Sequence, residues 1–199
     1  MNETIIKALQ AFREGKLVAA PTETVYGLTA PIDKPELIEK IFTIKQRPFS
    51  SALSIQVSTV EMAKMYTDQW SQFTQNLVQK YWPGPLTLVV KSNDKISNLI
   101  TANTGFVGLR MPDQNLTLEL IKHLGVPIAA PSANPHTLPA PTNAQQVRSY
   151  FKEEDVYIID GGPCTFAKES TIIKIIDDEI EFLRIGAISK TEIESFLYK

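Results

Sequence analysis

Several short segments combine positive charges and hydroxyl groups with proline or glycine, next to stretches that have the apolar pattern of a strand or helix. They are residues 21–27, 45–48, 108–112, 130–134, 161–171 and 183–186. Ligands of α/β proteins bind at strand ends, in segments of this kind. Lysine and arginine side chains at such a place suit an anionic ligand, such as a phosphate or a carboxylate.

Lys45 and Arg47 carry two positive charges within one tripeptide, at the end of a predicted helix. If Pro48 keeps Arg47 out of helical geometry, both head groups can converge on a triphosphate. The alternative is a solvated pair that interacts favourably with the helix dipole and needs no ligand. For the tripeptide alone, the second interpretation is the simpler one.

Arg110, Ser132 and Asn134 follow apolar stretches in the same way. A buried guanidinium at Arg110 can hold a ligand carboxylate through two parallel hydrogen bonds, or it can pair with an internal aspartate or glutamate. Ser132 and Asn134 are alternate residues of an extended segment, so they can offer a hydroxyl and an amide to one ligand. A serine and asparagine turn before Pro135 is the other interpretation.

Composition excludes several classes of protein. The chain has 199 residues, a net charge of -2, two histidines and one cysteine. These values argue against nonspecific coating of nucleic acid, a zinc site and an internal disulfide. No apolar run reaches the roughly 20 residues that span a bilayer, and residues 1–15 do not have the pattern of a signal peptide, so we expect a cytoplasmic protein without membrane contact. The sequence also lacks the phosphate-loop, HExxH and Ser-His-Asp signatures, and Cys164 is given no catalytic role.

The elements that position these segments alternate between helical and extended patterns, which predicts one α/β domain over residues 1–199 with a mixed sheet. Strands are predicted at residues 17–20, 52–57, 86–91, 107–110, 128–130, 156–160, 171–176 and 180–184. The Asp177-Asp178 pair predicts an antiparallel hairpin between the last two. Capping boxes are predicted to start four of the helices, at Asp33 with Glu36, Ser58 with Glu61, Thr142 with Gln145, and Ser189 with Glu192.

Seven strings occur in order along the chain: PTETVYGLTA, KQRP, WPGPLT, LRMP, PIAAPSAN, IIDGG and EST. Together they resemble the YrdC-like threonylcarbamoyl-AMP synthase family, in its short single-domain form, over nearly the whole sequence. The resemblance implies a twisted mixed β-sheet flanked by helices, with a concave ligand cavity and no additional C-terminal domain.

The resemblance also implies a reaction, in which L-threonine, bicarbonate or CO2, and ATP condense to L-threonylcarbamoyladenylate and pyrophosphate. A downstream threonylcarbamoyl transferase would then modify the adenosine beside the anticodon of tRNA. The chemistry would rest on positioning and fixed charges, with threonine's own amine as nucleophile. Mg²⁺ would accompany ATP, held mainly by its phosphates.

Site residues follow from the resemblance position by position, with Lys45 and Arg47 as the catalytic cations. The implied nucleotide contacts are Lys45, Arg47, Ser51, Ser132, Asn134, Ala140 and Arg184, and the implied threonine contacts are Thr24, Tyr26, Gln56, Arg110, Ala130 and Ser170. The chain departs from the family pattern in two places. Gln56 stands where many relatives carry histidine, and Pro135-His136-Thr137 replaces an expected Leu-Ser-Gly, which bears on the contact at Ala140.

Other functions are compatible with parts of this pattern. Some relatives bind double-stranded RNA through a concave basic surface, which would make the chain an RNA-binding module with salt-sensitive affinity. An inactive paralogue of the same fold is a further alternative. A carbamoylating domain of the hydrogenase-maturation type would need acylphosphatase and zinc-finger domains, for which neither the length nor the cysteine count leaves room.

Overall fold

The computed structural model describes residues 2–197, which form a nine-stranded sheet with helices packed against it. The strands are β1 (Leu17–Ala20), β2 (Gly27–Pro31), β3 (Ser54–Gln56), β4 (Leu86–Lys91), β5 (Phe106–Arg110), β6 (Ile128–Ala129), β7 (Val156–Ile158), β8 (Thr171–Ile176) and β9 (Glu179–Arg184). The helices are α1 (Glu3–Arg13), α2 (Pro35–Lys45), α3 (Val60–Lys64), α4 (Gln72–Tyr81), α5 (Asn98–Thr101), α6 (Asn115–Leu124), α7 (Ala144–Tyr150) and α8 (Lys190–Leu197). The predicted α/β class is confirmed.

The strand order is β7-β1-β2-β6-β3-β5-β4-β8-β9, and the sheet is mixed, as predicted. Strand pairs β1/β7, β3/β5 and β4/β8 are parallel, whereas the other neighbours are antiparallel. The carboxyl ends of β3, β5 and β9 and the amino ends of β4 and β8 therefore lie at one edge of the sheet, and the carboxyl end of β6 and the amino end of β2 lie at the opposite edge. Of the segments that the sequence singled out, residues 108–112, 183–186 and the end of 161–171 lie at the first edge, and residues 21–27 and 130–134 lie at the opposite one.

The hairpin between β8 and β9 confirms the prediction made from Asp177 and Asp178. Both residues have positive φ angles, of 50° and 62°. Two consecutive left-handed residues form the turn that matches the twist of antiparallel strands, and aspartate tolerates this conformation better than most residues.

Strand β2 and the short helix α5 were not predicted, and three of the four predicted caps were wrong. Residues 21–27, which the sequence singled out as a possible ligand-binding segment, include the first residue of β2. Helix α2 begins after Lys34 with Pro35 in its first turn, and Asp33 does not cap it. Thr59 caps α3, and Asn143 caps α7. Only the Ser189 cap, which accepts the Glu192 amide at 3.1 Å, is confirmed.

The apolar faces of the helices and sheet form one continuous core, which holds the strand ends in place. Gly186, just after β9, is needed for a close backbone approach there. A side chain at this position would collide with the backbone of Glu169 and Ser170. In the part of the chain that the structure describes, no helix combines the length and apolarity needed to cross a membrane.

Candidate active site

A cavity of about 210 Å³ is lined by residues from segments at both edges of the sheet. It extends across the sheet from the segment after β6, past the ends of β3, β5 and β4, to the end of β9. Of the residues that the sequence singled out, Thr24, Tyr26, Arg47, Gln56, Arg110, Ala130, Ser132, Ser170 and Arg184 line it. Lys45, Ser51, Asn134 and Ala140 do not. The structure therefore brings nine of the thirteen predicted site residues to one cavity, and the other four are not part of its lining.

Lys45 lies behind the cavity wall because Gln46 ends α2 in the left-handed conformation, with a φ angle of 53°. This turn directs the two flanking side chains apart. The Lys45 side chain is 2% exposed, and its ammonium donates hydrogen bonds to the backbone carbonyls of Ser132, at 2.5 Å, and Asn134. Lys45 thus fixes the segment that carries Ser132. Burial, and then the nearby charge of Arg47, lower the pKa of Lys45 to about 8.

The buried Lys45 charge predicts a pH-dependent difference between the chain and Lys45→Met. Because the ordinary pKa is 10.5, the unfolded chain binds the Lys45 proton more tightly than the folded chain. The free energy of unfolding should therefore rise with pH relative to Lys45→Met, by about 2 kcal/mol between about pH 7.5 and about pH 10. Chemical denaturation of both proteins across this range measures the difference. A constant difference would show that the two carbonyls hold the ammonium charged as effectively as water does.

Arg47 points the other way, into the cavity. Its guanidinium donates to the carbonyls of Ser51, at 3.4 Å, and Ala52, at 2.9 Å. Ser51 contributes its carbonyl here, and its amide closes a turn with Pro48. Among residues 2–197, no carboxylate pairs with Arg47, whereas both other arginines of the cavity have one. Burial lowers the pKa of Arg47, so the cavity places an uncompensated cation where an anion would be favoured.

Arg184 forms a cluster with Glu169 and Ser170 at the other end of the cavity. Its guanidinium contacts the Glu169 carboxylate at 3.0 Å and donates to the Ser170 carbonyl and hydroxyl at 3.0 and 3.1 Å. The Ser170 hydroxyl is also 2.9 Å from that of Thr87. Side chains of Arg184 and Glu169 are 37% and 39% exposed, so this ion pair is open to solvent and to exchange with a ligand.

Arg110 is paired with Glu23, a residue that was not among the predicted site residues. Arg110 Nη2 lies 2.6 Å from Glu23 Oε1, and both side chains are less than 10% exposed. The sequence left two interpretations of Arg110 open, a ligand carboxylate or an internal one. The structure shows the internal carboxylate partner, and Arg110 also lines the cavity. Glu23 lies inside the PTETVYGLTA string, next to Thr24, and its charge within an otherwise uncharged buried segment was the available signal.

Thr24 and Tyr26 use their hydroxyls within the protein. The Thr24 hydroxyl lies 2.8 Å from that of Thr22. The Tyr26 hydroxyl donates to the Gly162 carbonyl at 2.8 Å and accepts the Gly161 amide at 3.1 Å. It therefore holds the loop at residues 161–162 against the cavity wall. Burial raises the pKa of Tyr26 and keeps the phenol protonated. Both residues thus shape the cavity through side chains that already have partners.

Gln56 differs from Thr24 and Tyr26, because its Oε1 atom is buried and has no hydrogen-bond partner among residues 2–197. The side chain is 4% exposed and lies opposite Arg110 in the register of β3 and β5. A buried acceptor without a donor costs free energy unless a ligand supplies one. A ligand ammonium or hydroxyl at this point of the cavity would do so.

Gln56→Leu is expected to stabilise the ligand-free fold while impairing the site. Removing a buried acceptor that lacks a partner should raise the free energy of unfolding by about 1 kcal/mol. It should at the same time weaken threonine binding, if threonine supplies the missing donor. Denaturant unfolding and calorimetric titration with L-threonine check the two halves, and a less stable variant with unchanged affinity would contradict both.

Asn134 and Ala140 belong to the loop that departs from the family pattern. The Asn134 amide donates to the Pro135 and Leu138 carbonyls, at 3.1 and 2.5 Å, so it holds the loop and does not enter the cavity. Ala140 is half-buried beside Pro141, whose carbonyl accepts the Tyr26 amide at 2.9 Å. Asn134 thus acts with Lys45 in fixing the segment from which Ser132 reaches the cavity.

Cys164 does not line the cavity. Burial raises the pKa of Cys164 to about 11, which keeps it a neutral thiol. Within residues 2–197, no group of three or more histidine, cysteine, aspartate or glutamate side chains is arranged to hold a metal ion.

Comparisons with known proteins agree with this geometry. The sequence model of the Sua5, YciO and YrdC family, described as Telomere recombination, matches residues 10–186. A threonylcarbamoyl-AMP synthase of Bacillus subtilis is 38% identical over 194 residues, which are 97% of this chain and 56% of that protein. A threonylcarbamoyl-AMP synthase of Vibrio parahaemolyticus is 30% identical over 158 residues, 78% of this chain and 85% of that protein.

The crystal structure of Pyrococcus abyssi Sua5 complexed with L-threonine superposes with a TM-score of 0.92 at 38% identity. It covers 98% of this chain, which corresponds to 57% of that protein. The chain thus spans little more than half the length of the Bacillus and Pyrococcus relatives. The match over residues 10–186, together with these identities and this superposition, shows that the chain belongs to the Sua5/YciO/YrdC family.

Proposed function

We propose that the chain is a threonylcarbamoyl-AMP synthase, which condenses L-threonine, bicarbonate and ATP to L-threonylcarbamoyladenylate. The proposal rests on two groups of the cavity that lack a partner among residues 2–197. Arg47 has no carboxylate partner, and the buried Gln56 Oε1 atom has no hydrogen-bond donor. An anion and a hydrogen-bond donor, such as a triphosphate and the ammonium or hydroxyl of threonine, satisfy these two groups. The names of the relatives and the threonine bound to Pyrococcus Sua5 support the same assignment.

The reaction needs fixed positive charge more than it needs a protein nucleophile. Threonine's amine and bicarbonate first combine with loss of water to give a carbamate. A carbamate oxygen then bonds to the α-phosphorus of ATP, and the bond from that phosphorus to the bridging oxygen breaks, releasing pyrophosphate. Two anions approach each other and charge accumulates on the leaving group, so preorganised cations lower the barrier.

The residues of the cavity divide between the two substrates. Arg47, Ser132 and Arg184 are assigned to the nucleotide, with Arg47 on the phosphates. Arg110 and Gln56, side by side at the ends of paired strands, are assigned to threonine. Lys45 supports the nucleotide side by holding the Ser132 segment, and the carbamate must form between the two groups of residues.

Mg²⁺ is proposed to enter with ATP. The carboxylate that lines the cavity, Glu169, already pairs with Arg184, and the described residues offer no metal-ligating cluster. The protein therefore does not fit as a cage for Mg²⁺, whereas a cation carried on phosphates needs few protein ligands. No step above depends on the metal.

Pyrophosphate release tests the proposal. With ATP present, release should require both L-threonine and bicarbonate, and omission of either should reduce it to background. Release that ignores threonine would contradict the proposal. Salt-sensitive binding of duplex RNA, without pyrophosphate release, would favour the RNA-binding alternative. Transfer of the product to tRNA by a separate transferase is part of the same proposal and needs that enzyme for its test.

A further inference from the structure

We infer that Glu23 positions Arg110 for the substrate carboxylate, which makes Glu23 a functional residue although it touches no substrate. The inference rests on the proposed function, since it concerns how threonine is held. Two features carry it, the contacts of the Glu23 carboxylate and the place of Glu23 between three segments of the cavity wall.

The Glu23 carboxylate binds with both oxygens. Oε1 accepts from Arg110 Nη2 at 2.6 Å, and Oε2 accepts the Asp113 amide at 3.1 Å. Arg110 Nε donates in addition to the Gly84 carbonyl at 3.1 Å. The guanidinium is therefore held at Nε and Nη2, and Nη1 makes no hydrogen bond to residues 2–197. A flexible side chain fixed at two points presents its remaining donors to the cavity in one orientation.

The backbone of Glu23 joins the same arrangement. Its carbonyl accepts the Phe166 amide at 2.8 Å, which ties it to the segment that carries Glu169 and Ser170. The next residue, Thr24, lines the cavity itself. Glu23 thus connects the end of β5 with the loops before β2 and β8, each of which contributes cavity residues.

A charge role and a positioning role for Glu23 predict opposite results. A carboxylate behind Arg110 repels a second carboxylate in front of it, so a purely electrostatic Glu23 weakens threonine binding, and removing its charge would strengthen it. If Glu23 orients Arg110, removing the charge-assisted hydrogen bond lets the guanidinium adopt other rotamers, and threonine binding weakens.

Calorimetric titration of Glu23→Gln and Glu23→Asp, with L-threonine and separately with ATP, distinguishes these roles. Glutamine keeps the shape without the charge, and aspartate keeps the charge but is too short to reach both partners. Both variants are expected to raise the Kd for threonine about tenfold or more, with the Kd for ATP changed less than about twofold. Glu36→Gln, the same exchange at an exposed position, should leave both constants unchanged.

Unchanged or tighter threonine binding in Glu23→Gln would overturn the inference. An equal loss of ATP and threonine affinity would also overturn it, because that result indicates a general packing defect. If the unsubstituted chain itself fails to bind threonine, that result contradicts the proposed function and therefore also the inference.

Discussion

Arg47→Ala is expected to lower the rate of pyrophosphate release by at least about 100-fold, the loss typical of removing one preorganised charge from a transition state. Arg47 lines the cavity without a carboxylate partner among the described residues, so its full charge is available to the phosphates. Steady-state measurement at saturating threonine and bicarbonate gives the rate. The effect should fall mainly on kcat, because Arg47 is proposed to stabilise the developing charge of the leaving group.

The fold should survive this substitution. The hydrogen bonds lost are those to the Ser51 and Ala52 carbonyls of a surface loop, so the melting temperature should fall by no more than about 5 °C. Arg13→Ala, at an exposed position of α1, is the matched control and should keep full activity. Turnover of Arg47→Ala within about threefold of that control would refute the role of Arg47, since a preorganised charge is worth far more.

Arg110→Met is expected to be the most destabilising of the substitutions considered. It leaves the Glu23 carboxylate buried without its partner, and breaking a buried ion pair in this way costs about 3–5 kcal/mol. It should also abolish threonine binding, if Arg110 holds the substrate carboxylate. Denaturant unfolding and titration with L-threonine measure the two effects.

The double variant Arg110→Met/Glu23→Leu separates stability from binding. Replacing both members of a buried pair with apolar side chains is often neutral, so most of the lost stability should return. Threonine binding should remain absent, because no cation faces the carboxylate. If the double variant regained threonine affinity along with stability, Arg110 would have only a structural role.

The sequence predicted those parts of the fold that local patterns determine. The β8/β9 hairpin follows from two residues that tolerate left-handed geometry, and the amphipathic helices follow from their apolar periodicity. Strand β2 was missed because its apolar run is short and lies between glycine and proline. Its place in the sheet depends on pairing with β6, which lies far along the chain, as well as with the neighbouring β1.

The site was predictable as a set of segments but not as a set of contacts. The ordered strings pointed to the residues that now line one cavity, yet the different positions of Lys45 and Arg47 depend on a left-handed Gln46. Nothing in the side chain of glutamine marks that conformation. Glu23 was missed for a similar reason, because its partner Arg110 is 87 residues away along the chain. Contacts of this kind arise only when the strands assemble.

Detection of the product decides whether this cavity builds a threonylcarbamoyl adenylate. The chain is incubated with ATP, L-threonine and ¹³C-labelled bicarbonate, and the mixture is analysed by mass spectrometry. We expect a species with the mass of threonylcarbamoyl-adenylate that carries one ¹³C and that is absent with Arg47→Ala. Pyrophosphate or AMP released by the chain without any labelled adenylate would contradict the proposed function.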